Sequence, residues 1–249
     1  MGKPLNESYE GNCIQKIADS HVGEDIFVIG TGTSLTGFPW KKMNDKVTIG
    51  LNDAVKVDGF IPTYHMFSDV NIWKRYSHMV WKPPCKMVCQ RHARRMFIDS
   101  RSCQYKPYVW QFDISCKPEF DKADQRLHVR RTVATGGINF AYKLGAKRIF
   151  LLGVDGYCLK KQYYHDGSVK PPERRKTKVE KAKGSGSDLF VQDRHESWRH
   201  DMGQLEAALK EEDLYQGPWP ESGVYNLSPL STILNFEKVD PEEVLGFSW

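Results

Sequence analysis

The feature that most constrains this chain is a repeated unit, a short run of β-branched and aromatic residues that stops at once in small or polar residues. Ile26 to Ile29 runs into Gly30-Thr31-Gly32-Thr33-Ser34, Val47 to Leu51 into Asn52-Asp53, and Tyr64 to Phe67 into Ser68-Asp69. Such runs have the length of a strand and are too short for a buried helix. Three in succession, each ending in groups that can bind a ligand, predict an open sheet with its site at the strands' carboxyl ends.

The best-defined unit comes later. A small-residue turn (Ala134-Thr135-Gly136-Gly137) leads into an apolar helix, Ile138 to Leu144, closed by Gly145, and then into a strand, Arg148 to Val154, that ends in Asp155. Lys86 to Cys89 and Tyr108 to Phe112 read as further strands, with a short basic helix over Gln90 to Arg95 between them. Met202, Leu205, Ala208 and Leu209 fall at helical spacing and predict an amphipathic helix from about Trp198 to Lys210. A last strand covers Val224 to Leu227, and Leu230 to Phe236 reads as the opening of another helix. The alternation predicts an α/β fold, a mostly parallel Rossmann-like open sheet flanked by helices, forming one domain over residues 1–249.

A chain of 249 residues with 40% apolar and 27% charged side chains can bury a full core. It has no apolar run of the length, about 18 residues, that spans a bilayer, and its first residues are polar, so a cytosolic or virus-encoded cytosolic protein is expected. The six cysteines are scattered and read as reduced thiols. Cys85, Cys89 and His92 have a spacing that could supply three zinc ligands, and buried or loop thiols are the plainer reading.

Charge is concentrated in one place. Lys170 to Lys183 carries seven Lys and Arg against two Glu, a surplus equal to the whole chain's net charge of +5. With Pro-Pro at its start and Gly-Ser-Gly-Ser after it, this segment reads as part of a flexible basic lid over residues 168–200. Arg174, Arg175, Lys176 and Lys178 would then face a polyanionic acceptor such as nucleic acid, or simply water.

Gly30, Thr31, Gly32 and Ser34 form a turn where missing β-carbons admit a phosphate or ribose to backbone amides; there is no third glycine and no Lys-Ser/Thr pair. Thr135 and Gly136 offer free amides at a helix start, or an ordinary N-cap. Asn52, Asp53 and Asp155 lie at strand ends, and with these turns they outline a nucleotide pocket. Tyr157 and Tyr163 follow Asp155 closely and could hydrogen-bond a leaving phosphate without a metal. His195 and His200 sit between the basic loop and the amphipathic helix, where a closing lid would bring a general base onto substrate.

With those motifs in place, the chain resembles the family 42 glycosyltransferases, the bacterial sialyltransferases, and the wider DUF115-like group. The family's Gly-x-Gly-x-Ser-Leu turn stands here as Gly30 to Leu35, its Asn-Gln as Asn52-Asp53, and its Thr-Ser-Gly helix start as Ala134-Thr135-Gly136. Its Leu-Gly strand ending in Asp stands as Leu144-Gly145 through Asp155, with Tyr157 and Tyr163 at the family's spacing. The family's Cys-Pro-x-Ser-Leu-Leu segment is loosely echoed by Asn226 to Leu230. The resemblance implies a single GT-A-like domain and a metal-independent transferase that takes a nucleotide-sugar as co-substrate and holds no cofactor. It further implies that Tyr157 and Tyr163 bind the leaving phosphate and that His195 is the base, one residue farther from Leu205-Glu206 than in the family, with His200 as competitor. Thr31, Thr33 and Asp53 depart from the family's residues, so a CMP-sialic acid donor is not implied. The acceptor is left open: a glycan, or, on the strength of the basic segment Lys170 to Lys183, a phosphate-rich one such as modified viral DNA. A magnesium-dependent pyrophosphokinase using Asp69 and Asp155, and a non-catalytic nucleotide- or nucleic-acid-binding module, are the alternatives.

Overall fold

The computed structural model describes residues 12–56, 59–69, 71–72, 85–90, 109–156, 187–215 and 217–249. Among the described residues, ten strands and three α-helices follow in chain order: β1 Asn12–Cys13, β2 Asp25–Ile29, β3 Val47–Leu51, β4 Tyr64–Phe67, β5 Lys86–Gln90, β6 Val109–Ser115, β7 Arg126–His128, α1 Val133–Lys143, β8 Arg148–Leu152, α2 Ser187–Glu211, β9 Gly223–Asn226, β10 Glu237–Lys238 and α3 Pro241–Leu245. The strands join in one sheet in the order β1-β6-β5-β4-β3-β2-β8-β9-β10, with β7 paired to the far half of β6. Every pairing is parallel.

Strand order carries the functional consequence. From β2 the chain steps outward through β3, β4, β5 and β6, and then returns to lay β8 on the opposite side of β2. Open parallel sheets bind their ligands at the carboxyl ends of the strands where the winding reverses. Here the strands are β2 and β8, and their exits are Gly30–Ser34 and Gly153–Asp155.

Both sheet faces are buried, which is why the strands are nearly continuous in apolar residues. Ile26, Val28, Ile49, Leu51, Ile149 and Leu151 pack on one face with Ile138, Phe140, Met202 and Leu205 from α1 and α2. Phe27, Ile29, Phe150, Leu152 and Tyr225 pack on the other, against Leu35, Phe38, Met43 and Phe60 from short turns and Val244 and Leu245 of α3. At the sheet's other end Arg148 donates Nε and Nη2 to the two Asp25 carboxylate oxygens at 2.7 and 2.6 Å, locking the register of β8 on β2.

Some boundaries differ from those the sequence suggests. The residues read as a turn before α1 lie inside it, because Thr132 is the true N-cap and its Oγ1 accepts from Ala134 N. Helix α2 starts at Ser187, so His195 and His200 lie on the helix rather than ahead of it. Leu230 to Phe236 is not helical: Ser231 and Thr232 bond the carbonyls of Val154 and Asp155, and Asn226 Nδ2 holds the Ile233 carbonyl. Gln90 ends β5, and the remainder of the basic stretch read as a helix lies outside the described residues.

Lys143 in the last turn of α1 is only 2% exposed. Its ammonium donates to the main-chain carbonyls of Asp121 and Asp124 at 2.6 and 2.7 Å, while burial lowers its pKa. Replacing it with alanine removes both hydrogen bonds and leaves a void where the buried stem was. Lys143→Ala is expected to lose about 2–4 kcal/mol in urea unfolding, with Lys143→Met, which keeps the packed stem, losing less.

Candidate nucleotide crevice

The turn after β2 is built against the exit of β8. Gly30 N donates to Leu152 O and Gly32 N to Gly153 O, so the ladder continues past both strands. A β-carbon on Gly30 would stand 2.3 Å from Gly153 O, and one on Gly32 would stand 2.3 Å from the Asp155 carboxyl carbon. These two glycines therefore admit the Gly153–Asp155 backbone and carboxylate, a close approach that no other residue permits.

Asp155 is the brace. Its Oδ2 accepts from Ser34 N at 2.9 Å and its Oδ1 from Ser34 Oγ at 2.5 Å, and the residue is 2% exposed. Burial pushes the carboxyl above its ordinary value, and the two Ser34 bonds, with Lys238 farther off, pull it back. The indole Nε1 of Trp249 donates to Ser34 O at 2.6 Å, seated edge-on against Phe38 at 4.6 Å between ring centres. Thus Ser34 is held at its nitrogen, hydroxyl and carbonyl. Thr31 is half-buried, and its hydroxyl has no partner among the described residues; the buried Thr33 Oγ1 is likewise unpaired.

The neighbouring strand contributes Asn52 and Asp53. Asn52 opens a 3-10 turn, Asn52–Lys56, with φ at 49°, and its carbonyl accepts from His65 Nε2 at 2.6 Å. Asp53 is buried beside it. Burial pushes the His65 pKa down to about 4, against smaller upward pulls from the Asn52 carbonyl and Asp53, so the ring is neutral at neutral pH.

Helix α1 contributes differently from expectation. Thr135 is fully buried and spends its hydroxyl on His128 O at 2.7 Å and Thr132 O at 3.1 Å. A β-carbon on Gly136 would meet Val129 and Met66 side chains, so this glycine seats the helix on the sheet. Beneath it, Asp201 of α2 accepts from Arg131 N at 2.9 Å, tying α2 to the segment ahead of α1. His128 lies under that contact. Neither of its ring nitrogens makes a hydrogen bond of good geometry, and burial lowers its pKa despite Asp201 and nearby carbonyls.

The structure thus brings Gly30, Thr31, Gly32, Ser34 and Asp155 into one turn assembly, with Asn52 and Asp53 on the next strand. His200 is exposed on α2, and His195 lies on the same helix. Tyr157, Tyr163, Arg174, Arg175, Lys176 and Lys178 lie outside the described residues. Cys85 and Cys89 cannot both ligate one zinc ion, because four residue steps of extended chain separate their α-carbons by roughly 13 Å. Burial pushes the Cys85 thiol up to about 12. Among the described residues no group of three acidic, His or Cys side chains could hold a metal. Asp69 is exposed, and its Oδ1 accepts from the Asn71 main-chain and side-chain amides. No described helix is long and apolar enough to cross a membrane. The sequence reading missed His65, signalled only as a polar residue in an apolar strand, and Trp249, which carries no local signal.

No protein-family model matches the chain, and no curated protein matches it by sequence. Solved structures do share the fold. An asparagine-to-alanine variant of the sialyltransferase CST-II, in complex with CMP, superposes at TM-score 0.52 and 16% identity, over 91% of this chain and 89% of that one. The Maf glycosyltransferase from Magnetospirillum magneticum AMB-1 superposes at 0.52 and 13% identity, over 88% of this chain. This chain spans about a third of that enzyme, 34% of its length. The resemblance to family 42 thus holds at the level of the fold.

Two outcomes are expected. Asp155→Ala leaves the Ser34 donors buried without a partner and loses about 3 kcal/mol in denaturant unfolding, whereas Asp155→Asn, which keeps one acceptor, loses less. For His65 the folded pKa lies below the unfolded one, so the unfolded chain takes up the proton first. Its contribution to stability is complete above about pH 6.5 and is lost as pH falls toward about 4, by roughly 3 kcal/mol. Urea midpoints across that range should fall less steeply for His65→Gln; an equally steep decline would assign the loss to other groups, His128 first.

Proposed function

We propose that this chain is a metal-independent glycosyltransferase that moves a sugar from a nucleotide-sugar donor to an acceptor hydroxyl. The observation that carries the reading is a glycine turn and a left-handed asparagine at the carboxyl ends of the adjacent strands β2 and β3, beside the point where the winding of the sheet reverses. The sharing of a fold with a sialyltransferase solved with CMP supports it.

In this reading the nucleotide lies across the backbone of Gly30, Gly32 and Ser34 and the side chains of Thr31 and Asn52, with Asp53 at the ribose. Thr135 and Gly136 lend the end of α1 rather than their side chains, and Asp155 holds the turn. Tyr157 and Tyr163, a few residues beyond the β8 exit, donate to the phosphate as the bond from the anomeric carbon to its oxygen breaks. His195, or His200, takes the proton from the acceptor oxygen as that oxygen attacks the anomeric carbon. The surplus charge at Arg174, Arg175, Lys176 and Lys178 favours a phosphate-bearing acceptor, modified DNA before a neutral glycan; transfer that is insensitive to salt and to loss of these charges would remove that preference.

The test is a melting-temperature panel with CMP, CDP, UMP, UDP, GDP and ATP, each in EDTA and in magnesium. A pyrimidine nucleotide should raise the melting temperature in EDTA. Stabilisation by ATP alone, and only with magnesium, would overturn the reading in favour of pyrophosphoryl transfer. With the matching donor, alanine at the true base should lower kcat about 10²–10⁴-fold while the nucleotide-induced shift stays unchanged.

A further inference from the structure

Asn52 adopts a backbone conformation that a residue with a β-carbon holds only under constraint. Its φ of 49° lies in the left-handed region, which costs most residues roughly 1–2 kcal/mol and asparagine least. The geometry is imposed at that point because β3 ends at Leu51 and the chain turns at once into Asn52–Lys56.

The constraint comes from the next strand. His65 pairs with Gly50 across the β3–β4 ladder, two residues short of Asn52, so its ring reaches along β3 to the strand's exit. A carbonyl can only accept, so the 2.6 Å contact places the proton on Nε2 and fixes the tautomer. The ring is 3% exposed and neutral at neutral pH, and it donates there without bringing a charge into the sheet. Meanwhile the Asn52 side-chain amide is half-exposed and makes no hydrogen bond with another described residue. The backbone is tied down and the amide is spare.

We propose that His65 is a positioning residue for the nucleoside: by holding the Asn52 carbonyl it keeps Asn52 left-handed and presents the amide, a donor and an acceptor side by side, to a nucleoside in the crevice. This rests on the nucleotide reading above. His65 itself touches no ligand and acts only through Asn52.

The test is a double-substitution cycle read by calorimetric titration of CMP in EDTA. His65→Leu removes the donor and should weaken CMP at least tenfold. His65→Gln, whose amide nitrogen occupies the place of Nε2, should stay within threefold of the unsubstituted protein. Asn52→Gly adopts the left-handed turn without help but lacks the amide; it should also lose at least tenfold, and adding His65→Leu to it should cost less than twofold more. A further tenfold loss in the double variant, or a His65→Gln as weak as His65→Leu, would overturn the proposal. Should His65→Leu not fold, His65→Asn, too short to reach the carbonyl, takes its place. If the unsubstituted protein binds no nucleotide, the nucleotide reading fails on its own. The ligand-free crystal structure of the His65 variant then decides the positioning claim: Asn52 leaving the left-handed region upholds it, and a φ still near 49° overturns it.

Discussion

The buried carboxylate of Asp155 is the interaction on which the candidate site depends. Two strand exits 121 residues apart in sequence are made to end together because one carboxylate accepts both the amide and the hydroxyl of Ser34. That arrangement demands Gly32, since any β-carbon there would occupy the carboxylate's place. It also demands burial, which works against the ionised form and raises the carboxyl's pKa, and the two Ser34 hydrogen bonds offset part of that cost. Trp249 then closes the third side of Ser34 from the far end of the chain. A turn whose Ser34 is held at its amide, hydroxyl and carbonyl is a rigid platform, which is what a ligand-binding turn requires if binding is not to cost the ordering of the loop as well.

The same logic extends outward from the turn. Asn52 is held through His65, and helix α2, which carries both candidate bases, is pinned to the segment ahead of α1 by the Asp201 contact to Arg131 N. Each element that would meet a ligand is positioned by a buried polar contact to another element rather than by its own local sequence. The apolar cores on the two faces fix the sheet, and a small set of polar contacts fixes what the sheet presents.

Much of the fold was legible because parallel strands buried on both faces must be short apolar runs, and β3 and β4 begin and end where the sequence suggests. The short edge strands β1, β7 and β10 carried no such signal, being two or three residues whose pairing is set by the neighbouring strand. Leu230 to Phe236 has helical composition, yet Ile233 gives its carbonyl to Asn226 Nδ2 and its amide to Ser231 Oγ, and Thr232 N donates to Asp155 O, a competition that periodicity does not register. The start of α2 was hidden by the glycine and serine run before it. Within the site, the glycines, Asn52 and Asp155 were visible as strand-end residues, but their partners were not. Asp155 to Ser34, His65 to Asn52 and Trp249 to Ser34 are pairs distant in the chain, and a single sequence carries no trace of them.

The most direct test of the account is an amide hydrogen-exchange footprint of the full chain with and without a bound pyrimidine nucleotide. Protection centred on residues 30–35 and 52–53, at the carboxyl ends of β2 and β3, is the predicted result. Binding that protects a different surface and leaves those amides unchanged would contradict it.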